Sequence, residues 1–455
     1  MKEKMNVVVM GMGKSGISAA MLLHRHDFSV FVSEMNQENR VSEAAEKLGK
    51  KNIRFETGKH SPDKILSADF IVVSPGIPNS VPVIQVAQKN KIPIYSEIEV
   101  ASWFCKAPII GITGSNGKTT TTSLIGEILK TKYPNAFVGG NIGIPFSDKA
   151  DKLTSDDFAV LELSSFQLEH IQTFHPHVAV LLNFTPDHLD RHHSFRAYVD
   201  AKCKIFANQK KDDYIVYNAD DAAVASSVLR SHSQFVSFGK NAYGKNNVFY
   251  DRERIFHQNG NLIEIVKLNQ LNLVGEHNYS NVSAAVAAAL CVKVPIENIR
   301  KSIVQFQPVE HRIEFVGTLD GVKYYNDSKA TNSDATEKAL QSFSQPVILL
   351  AGGHAKEKDY SHLTSIIEQR VKKTILFGES REQLYRDLKF DGGNAATKVD
   401  DLESAFREAR KAAEQGDVIL LSPACASTDQ YRNFEERGTH FKKLFAELAE
   451  IQNQK

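Results

Sequence analysis

Residues 108 to 122 read Pro108-Ile109-Ile110-Gly111-Ile112-Thr113-Gly114-Ser115-Asn116-Gly117-Lys118-Thr119-Thr120-Thr121-Thr122. An apolar run gives way to small residues, then to a lysine and a row of hydroxyls. That order predicts a strand, a loop that cradles phosphate, and a helix start. Small residues let backbone N–H groups converge on a polyphosphate, which larger side chains would obstruct. Lys118 adds a point charge and Thr119 a hydroxyl suited to magnesium. The common form of the motif has a glycine where Ile112 stands, and here Gly111 comes one place early. Binding of ATP or GTP is the working expectation.

The whole chain bounds what surrounds this loop. Its 455 residues exceed one ordinary core, and two to four domains are the natural expectation, of which the pattern along the chain favours three. Lysine and arginine number 55 against 54 acidic residues, a net charge of +1, so no global field draws the protein to nucleic acid or membrane. Small-molecule substrates are favoured. Cys105, Cys203, Cys291 and Cys425 lie far apart with no C-x-x-C pair, and read as reduced intracellular thiols. The N-terminus carries no signal-like apolar region and no apolar run reaches membrane-spanning length. The expectation is a cytoplasmic, monomeric protein without nucleic-acid partners or membrane insertion.

Upstream of the loop, residues 5–10 predict a strand, followed by Gly11-Met12-Gly13-Lys14-Ser15-Gly16, a helix through Leu22 and a second strand at 29–32 that ends near Glu34. This is a Rossmann-type opening. A dinucleotide would set its pyrophosphate on the helix start and a ribose hydroxyl on Glu34. The same glycines equally suit another nucleotide or plain strand-to-helix packing. A later strand at 70–73 runs into Ser74-Pro75-Gly76-Ile77-Pro78, a second loop on the edge where open parallel sheets bind ligands. Residues 93–106, with Trp103, read as a connector, and a domain boundary near residue 105 follows.

Downstream, residues 158–165 predict a buried strand containing Glu162. A carboxylate there is costly unless it is paired or on a metal. The alternative is an edge strand with Glu162 facing solvent, and placement after the phosphate loop favours a magnesium-associated acid. Strands at 178–182 and 214–217 follow. Between them Asn183-Phe184-Thr185-Pro186-Asp187-His188-Leu189-Asp190-Arg191-His192-His193 gathers polar groups. Its histidines match no standard zinc spacing, and His188 is the first choice among them. Residues 275–281 precede an Ala-rich helix at 282–290. There Asn278 and Asn281 would share one face, placed either to read a base edge or to cap the helix. The helical pattern stops around 306–308. A third α/β series then begins at 322–326 and continues through strands at 347–350, 374–377 and 418–421, each ending in a loop. Loops at the strands' C-terminal ends in three successive α/β domains would place a site in the clefts between them.

Several of these segments together carry a resemblance. Thr113-Gly114-Ser115-Asn116-Gly117-Lys118-Thr119, Leu161-Glu162-Leu163-Ser164-Ser165-Phe166-Gln167, His277-Asn278 with Asn281, and Glu310-His311-Arg312 resemble the Mur ligase family of ATP-dependent amide-bond-forming enzymes, over essentially the whole chain. Asn326-Asp327-Ser328-Lys329-Ala330-Thr331-Asn332 and Ser422-Pro423-Ala424-Cys425-Ala426-Ser427, with Asn433-Phe434-Glu435-Glu436-Arg437-Gly438, are similar to the branch of that family that joins D-glutamate to UDP-N-acetylmuramoyl-L-alanine. Thr-Gly-Ser-Asn-Gly-Lys is the family's own phosphate loop, which accounts for Ile112.

The resemblance implies an α/β fold of three consecutive domains. These are a Rossmann-like UDP-sugar domain over 1–105, a central P-loop ATPase-like domain over 106–308 and a Rossmann-like amino-acid-binding domain over 309–455. It implies a ligase of cytoplasmic peptidoglycan-precursor synthesis, using ATP and magnesium. Another Mur ligase, or a folylpolyglutamate synthase-like ligase with a different acceptor, is the alternative. In the implied chemistry a carboxylate takes the γ-phosphate of ATP to give an acyl phosphate, and an amine displaces phosphate. Two like-charged reactants must meet, so magnesium, Lys118, Arg312 and Lys329 are needed as cations. The C-terminal domain is expected to close over the nucleotide.

By the same resemblance the catalytic residues are Lys118, Glu162, His188, Lys202 and Lys329. ATP falls to Gly114, Ser115, Asn116, Gly117, Lys118, Thr119, Thr120, Asn278, Asn281, Arg312 and Asp327. The UDP-sugar falls to Lys14, Ser15, Met35, Gly76, Asn141, Ser164 and Gln167. For D-glutamate the matching residues are Thr331, Lys356, Ser427, Thr428 and Phe434. His354 departs from an aspartate of some relatives, and Lys358 stands as the alternative to Lys356. Thr119 and Glu162 are implied for one magnesium, His188 and Lys202 for a second. Lysine is a cation and a poor metal ligand. The family answers with a carbamate, CO₂ having added to the neutral amine; Lys204 is the nearby competitor for this role.

Overall fold

Runs such as Val7-Val8-Val9 and Ile109-Ile110 are apolar on both faces, the pattern of parallel strands buried between helical layers. In the computed structural model, which describes residues 4–37, 41–273, 275–307, 310–390 and 396–453, such runs build three sheets. The first contains β1 (Asn6–Met10), β2 (Ser29–Glu34), β3 (Arg54–Thr57), β4 (Phe70–Val73) and β5 (Ile94–Ser96), all parallel, in the order β3-β2-β1-β4-β5.

The second sheet contains β6 (Ile109–Thr113), β7 (Phe137–Gly140), β8 (Ala159–Glu162), β9 (Val178–Leu181), β10 (Tyr214–Asn218), β11 (Gln234–Gly239), β12 (Asn246–Tyr250), β13 (Arg254–Asn259) and β14 (Asn261–Lys267). Its order is β14-β13-β12-β11-β10-β9-β6-β8-β7, antiparallel only at β12-β13-β14. The third contains β15 (Glu314–Leu319), β16 (Val322–Asn326), β17 (Val347–Gly352), β18 (Val371–Phe377), β19 (Ala396–Lys398) and β20 (Val418–Leu421), in the order β15-β16-β20-β17-β18-β19. Only the β15-β16 pair is antiparallel. The chain clusters into two compact units, Met1–Leu271 with Ser280–Phe306, and Asn272–Tyr279 with Gln307–Lys455. The first two sheets lie in the former and the third in the latter.

Four local expectations need correction. Residues 94–96 are a fifth strand rather than connector, because Ile94 pairs with Ile71 and the Tyr95 ring packs edge-on to Phe70 and Trp103. The Ala-rich helix starts at Glu276, so Asn278 and Asn281 lie inside it. The third series opens with β15, an antiparallel partner to β16, before Val322. The second sheet extends through a β12-β13-β14 meander whose strands mix polar and apolar residues. The boundary expected between residues 308 and 309 lies outside the described residues.

The short helix Glu97–Ser102 follows β5 and carries two buried carboxylates. Glu99 accepts from the N–H groups of Gln172, Thr173 and Phe174 at 2.8–2.9 Å. Glu97 is less well served. Its Oε1 accepts from the Ser147 N–H at 2.7 Å and from the Ser147 hydroxyl, while Oε2 is buried without a hydrogen-bond partner. Burial pushes this carboxyl up to about 7, against the Ser147 hydrogen bonds and with some help from Asp148.

The protonated form of Glu97 therefore belongs to the folded state. Its contribution to stability is full below the ordinary value of 4.5 and is lost as pH rises through about 7. Urea unfolding across that window is expected to show wild-type stability falling by up to about 3 kcal/mol from this group. Glu97→Gln should flatten the slope, and equal slopes in the two proteins would exclude Glu97 as its source.

Candidate active site

Three neighbouring strands of the second sheet, β8, β6 and β9, end side by side, with Ile112 opposite Glu162 and Thr113 opposite Leu181. The phosphate loop leaves β6 and enters the helix Lys118–Lys130, whose N-cap is Gly117. Ile112 is a fully buried strand residue, and the chain turns at Gly114 instead. A Cβ on Gly114 would stand 2.9 Å from the Leu182 side chain. At Gly117, with φ of 83°, a Cβ would lie 2.2 Å from Asn281 Oδ1. The loop is thus pressed between the segment after β9 and Asn281.

Hydrogen bonds lock that approach. Asn183 accepts the Ser115 N–H on its backbone oxygen and the Asn116 N–H on its side-chain oxygen, both at 2.8 Å, and its amide donates to Asn116 O at 3.0 Å. The Thr185 N–H donates to Ser115 Oγ at 2.9 Å, and Tyr198 Oη lies 2.9 Å from the same hydroxyl. Lys118 Nζ donates to the carbonyls of Gly114 and Ser115 at 2.8 Å. Residue order does not mark Asn183 or Tyr198 as part of this site. Only their position after a strand adjoining the phosphate loop could have flagged them.

Thr119 Oγ1 donates to Glu162 Oε2 and Asn141 Nδ2 to Glu162 Oε1, each at 2.8 Å. Glu162 is 2 % exposed and β8 is flanked by β6 and β7, so the solvent-facing alternative does not hold. Lys202, on the helix Phe195–Cys203, is equally buried; its Nζ donates to Gly114 O at 2.9 Å and sits 4.6 Å from the Tyr198 ring. Burial first, then the charge of Lys118, drives the Lys202 amine well below its ordinary range, against the pull of Asp187 and Glu162.

His188 has a left-handed backbone, a ring 4.8 Å from Phe166, and Nε2 3.5 Å from Asp187 Oδ2. Among the described residues no group of three or more His, Cys, Asp or Glu side chains is arranged to hold a metal ion. The hydroxyl of Thr119 and the carboxylate of Glu162 nonetheless fit magnesium. That ion takes oxygen donors and commonly uses only one or two protein carboxylates beside phosphate oxygens.

A cavity of about 550 Å³ at the first sheet's C-terminal edge is lined by Lys14, Ser15, Met35 and Gly76, together with Glu34 and His60. Glu34 does not present its carboxylate for a ribose. It accepts the N–H groups of Met12 at 2.7 Å and Asn36 at 2.8 Å, so it braces the glycine-rich loop. Burial pushes its carboxyl up, but these hydrogen bonds outweigh that and hold it low. Ser164 and Gln167 close a reciprocal cap on the helix Ser165–Glu169, and Gln167 is buried in it.

In the second unit the adjacent strands β16, β20 and β17 lead into loops carrying Lys329 and Thr331, Ser427 and Thr428, and Lys356. One side chain ties these loops together. Arg437, fully buried, donates to Ser328 Oγ and O, Cys425 O, Ala426 O and Gly352 O at 2.9–3.3 Å. Burial pulls its guanidinium down to about 10. A lone arginine before a glycine at a helix start gives no sign of this role.

Other expected residues of this unit divide between exposed loops and the loop base. Lys329 Nζ lies 5.1 Å from the Phe434 ring. Asp327 points into the base of the loops, accepting from Ser422 Oγ at 2.8 Å and from the Ile313 N–H at 3.2 Å. Burial pushes its carboxyl up to about 7, against nearby Arg312. Tyr360 Oη accepts the N–H of Lys356 at 3.2 Å, while the side chains of Lys356 and Lys358 are both on the surface. His354 Nδ1 meets Glu379 Oε2 at 2.9 Å. Asn278 and Asn281 stand three residues apart on one continuous helix, Glu276–Cys291.

The fold and site define a multidomain, phosphate-loop nucleotide enzyme. Family models narrow this. The Mur ligase MurD-like N-terminal domain matches residues 5–96, the Mur ligase middle domain residues 112–289, and the Mur ligase glutamate ligase domain residues 311–425. The chain belongs to the Mur ligase family. It is 42 % identical over 445 residues to the UDP-N-acetylmuramoylalanine–D-glutamate ligase of Koribacter versatilis, covering 98 % of both chains. It is 41 % identical over 461 residues to the protein of that name from Salinibacter ruber, again with 98 % of each covered. MurF ligase from Thermotoga maritima in complex with ADP shares the fold with a TM-score of 0.61 at 18 % identity, over 92 % of this chain and 95 % of that one. A pseudomurein peptide ligase type C from Methanothermus fervidus does so with 0.60 at 20 %, over 98 % and 100 %.

Replacing Arg437 with Met should leave several loop carbonyls without donors. It is expected to lower the unfolding free energy by about 2–5 kcal/mol, with Arg437→Lys intermediate. Urea titration monitored by tyrosine and tryptophan emission measures this, and unchanged midpoints would mean the loops find other donors.

Proposed function

We propose that this protein is an ATP-dependent ligase that joins D-glutamate to UDP-N-acetylmuramoyl-L-alanine, yielding the amide, ADP and phosphate. The observation that carries the reading is the gathering of Lys118, Thr119, Glu162, Asn141 and Lys202 around one phosphate loop. Relatives bearing that name match over 98 % of the chain.

The alanyl carboxylate attacks the γ-phosphorus of ATP, the bond to the β,γ-bridging oxygen breaks, and ADP leaves. The neutral amine of D-glutamate then attacks the acyl carbon, phosphate departs, and the nitrogen gives up a proton. Most of the catalysis in such a transfer is positioning and charge neutralisation. Gly114, Ser115, Asn116, Gly117 and Thr120 shape the cradle for the phosphates. Lys118 turns from loop carbonyls to phosphate oxygens, and Asn281 supports the cradle at Gly117. Asn278, Arg312, Asp327 and Lys329 are proposed for the nucleotide on the family resemblance alone.

Magnesium, when bound, would offset phosphate charge, with Thr119 and Glu162 holding one ion and His188 and Lys202 a second. For the latter, the neutral Lys202 amine would add to CO₂, forming a C–N bond and releasing a proton, which leaves an anionic carbamate. The burial of that amine supports this. The cavity at Lys14, Ser15, Met35 and Gly76 suits the UDP moiety, with Asn141 and the Ser164–Gln167 cap toward the sugar-linked alanine. Thr331, Lys356, Ser427, Thr428 and Phe434 are assigned to D-glutamate, whose two carboxylates call for hydroxyls and a cation. Domains over 1–105, 106–308 and 309–455, a cytoplasmic location and a monomer complete the proposal.

Phosphate release should require UDP-N-acetylmuramoyl-L-alanine and D-glutamate together, and product formed instead with another amino acid or a folate would reassign the acceptor. Lys118→Ala should lower kcat by about 10²–10³-fold with the thermal melt preserved. Enzyme equilibrated with ¹³C-bicarbonate should show a carbamate carbon resonance that Lys202→Arg lacks. The same resonance in both proteins would place the modification elsewhere.

A further inference from the structure

Arg191 stands three residues after His188 and no step above uses it. It lies in a single helical turn, Leu189–His192, bracketed by two left-handed residues, His188 at φ 52° and His193 at φ 61°. From there the guanidinium reaches the loop after β4. Nη1 donates to Pro75 O at 2.8 Å and Nη2 to Ile77 O at 3.1 Å. These carbonyls flank Gly76, which lines the first-sheet cavity.

The other contacts of the same guanidinium lead to His188, three residues after Thr185, whose N–H braces Ser115 of the phosphate loop. Nη2 pairs with Glu169 Oε2 at 2.8 Å, and the two side chains are only 13 % and 12 % exposed, so water screens them little. The guanidinium carbon sits 4.2 Å from the centre of the Phe166 ring, whose far neighbour is the His188 ring at 4.8 Å. A planar fork can serve two carbonyls, a carboxylate and a ring face together, which a single ammonium cannot. His170 adds a second tether between the same elements, its Nε2 lying 2.8 Å from Asn79 Oδ1.

We propose that Arg191 is a positioning residue that couples the cavity at Gly76 to His188 and the phosphate loop, so that a uridine diphosphate in the one and a nucleoside triphosphate in the other strengthen each other's binding. This rests on the ligase reading for the identity of both ligands. A ligand that orders Gly76 also orders the carbonyls on either side of it. Through them it orders the guanidinium, the Phe166 ring and the His188 ring. The coupling is reciprocal, as any equilibrium linkage between two sites must be.

Calorimetry on the full chain tests it. The Kd of a non-hydrolysable ATP analogue with magnesium is measured with and without saturating UDP. Wild-type protein should bind the analogue about 5-fold or more tightly when UDP is present. Arg191→Lys keeps the charge but loses the fork, and should bring that ratio to about 1 while each ligand still binds alone. Phe166→Leu, which leaves both carbonyl contacts and cuts the link to His188, should do the same, and it serves if the Arg191 variant does not fold. Glu169→Gln, which spares both links, should keep the ratio well above 1. A ratio of 1 in the wild type, or an undiminished ratio in the Arg191 and Phe166 variants, overturns the coupling. Wild-type protein that binds neither ligand overturns the ligase reading and this inference with it.

Discussion

A phosphate loop works only if its backbone amides are held toward the ligand, and that requires its remaining polar groups to be satisfied from behind. Here Asn183 performs most of this work. With one backbone carbonyl and one side-chain amide it answers both Ser115 and Asn116. Thr185 and Tyr198 complete the support through the Ser115 hydroxyl. The order of β8, β6 and β9 follows from the same need, because only strands on either side of β6 deliver Glu162 and Asn183 to one edge. Glycine is needed at 114 and 117 for the complementary reason that neighbouring atoms already occupy the space a Cβ would take.

The third sheet meets a similar problem by a different device. The loops after β16, β20 and β17 leave three separate strands and contain backbone carbonyls that point inward. A single buried guanidinium gathers five acceptors from them. An arginine suits this position because it stays charged even when burial lowers its affinity for the proton, and because its donors fan out in one plane. Loops held this way can carry exposed side chains such as Thr428 and Lys356 without losing their shape. A buried basic group recurs at Lys202, whose amine has a carbonyl and an aromatic face as partners and a second lysine nearby, so its proton affinity falls well below the ordinary range.

Much of the architecture was legible in residue order because parallel strands buried on both faces leave long apolar runs that periodicity finds easily. β1, β4, β6 and β20 are of this kind. The strands that escaped notice are short or polar. β5 has three residues, and the strands of the β13-β14 hairpin mix polar and apolar residues without a regular alternation of buried and exposed positions. Lys118 was legible for a similar reason, since its carbonyl partners Gly114 and Ser115 lie within a few residues along the chain. Asn183 contacts the loop across 67 positions of sequence, and Arg437 reaches Ser328 across 109. No local pattern marks such residues, and an asparagine after a strand or an arginine in a helix reads as surface.

Residue order alone therefore sufficed for the three α/β series, the phosphate loop and the family resemblance, because each rests on local periodicity or on contiguous motifs. Which groups face one another was settled by packing. Glu34 braces the glycine-rich loop, Gln167 caps a helix and Asp327 anchors a loop base, contacts that residue order does not reveal. The reason is energetic. A buried polar atom must find a partner, and the partner it finds is chosen by whichever distant strand or loop folds against it.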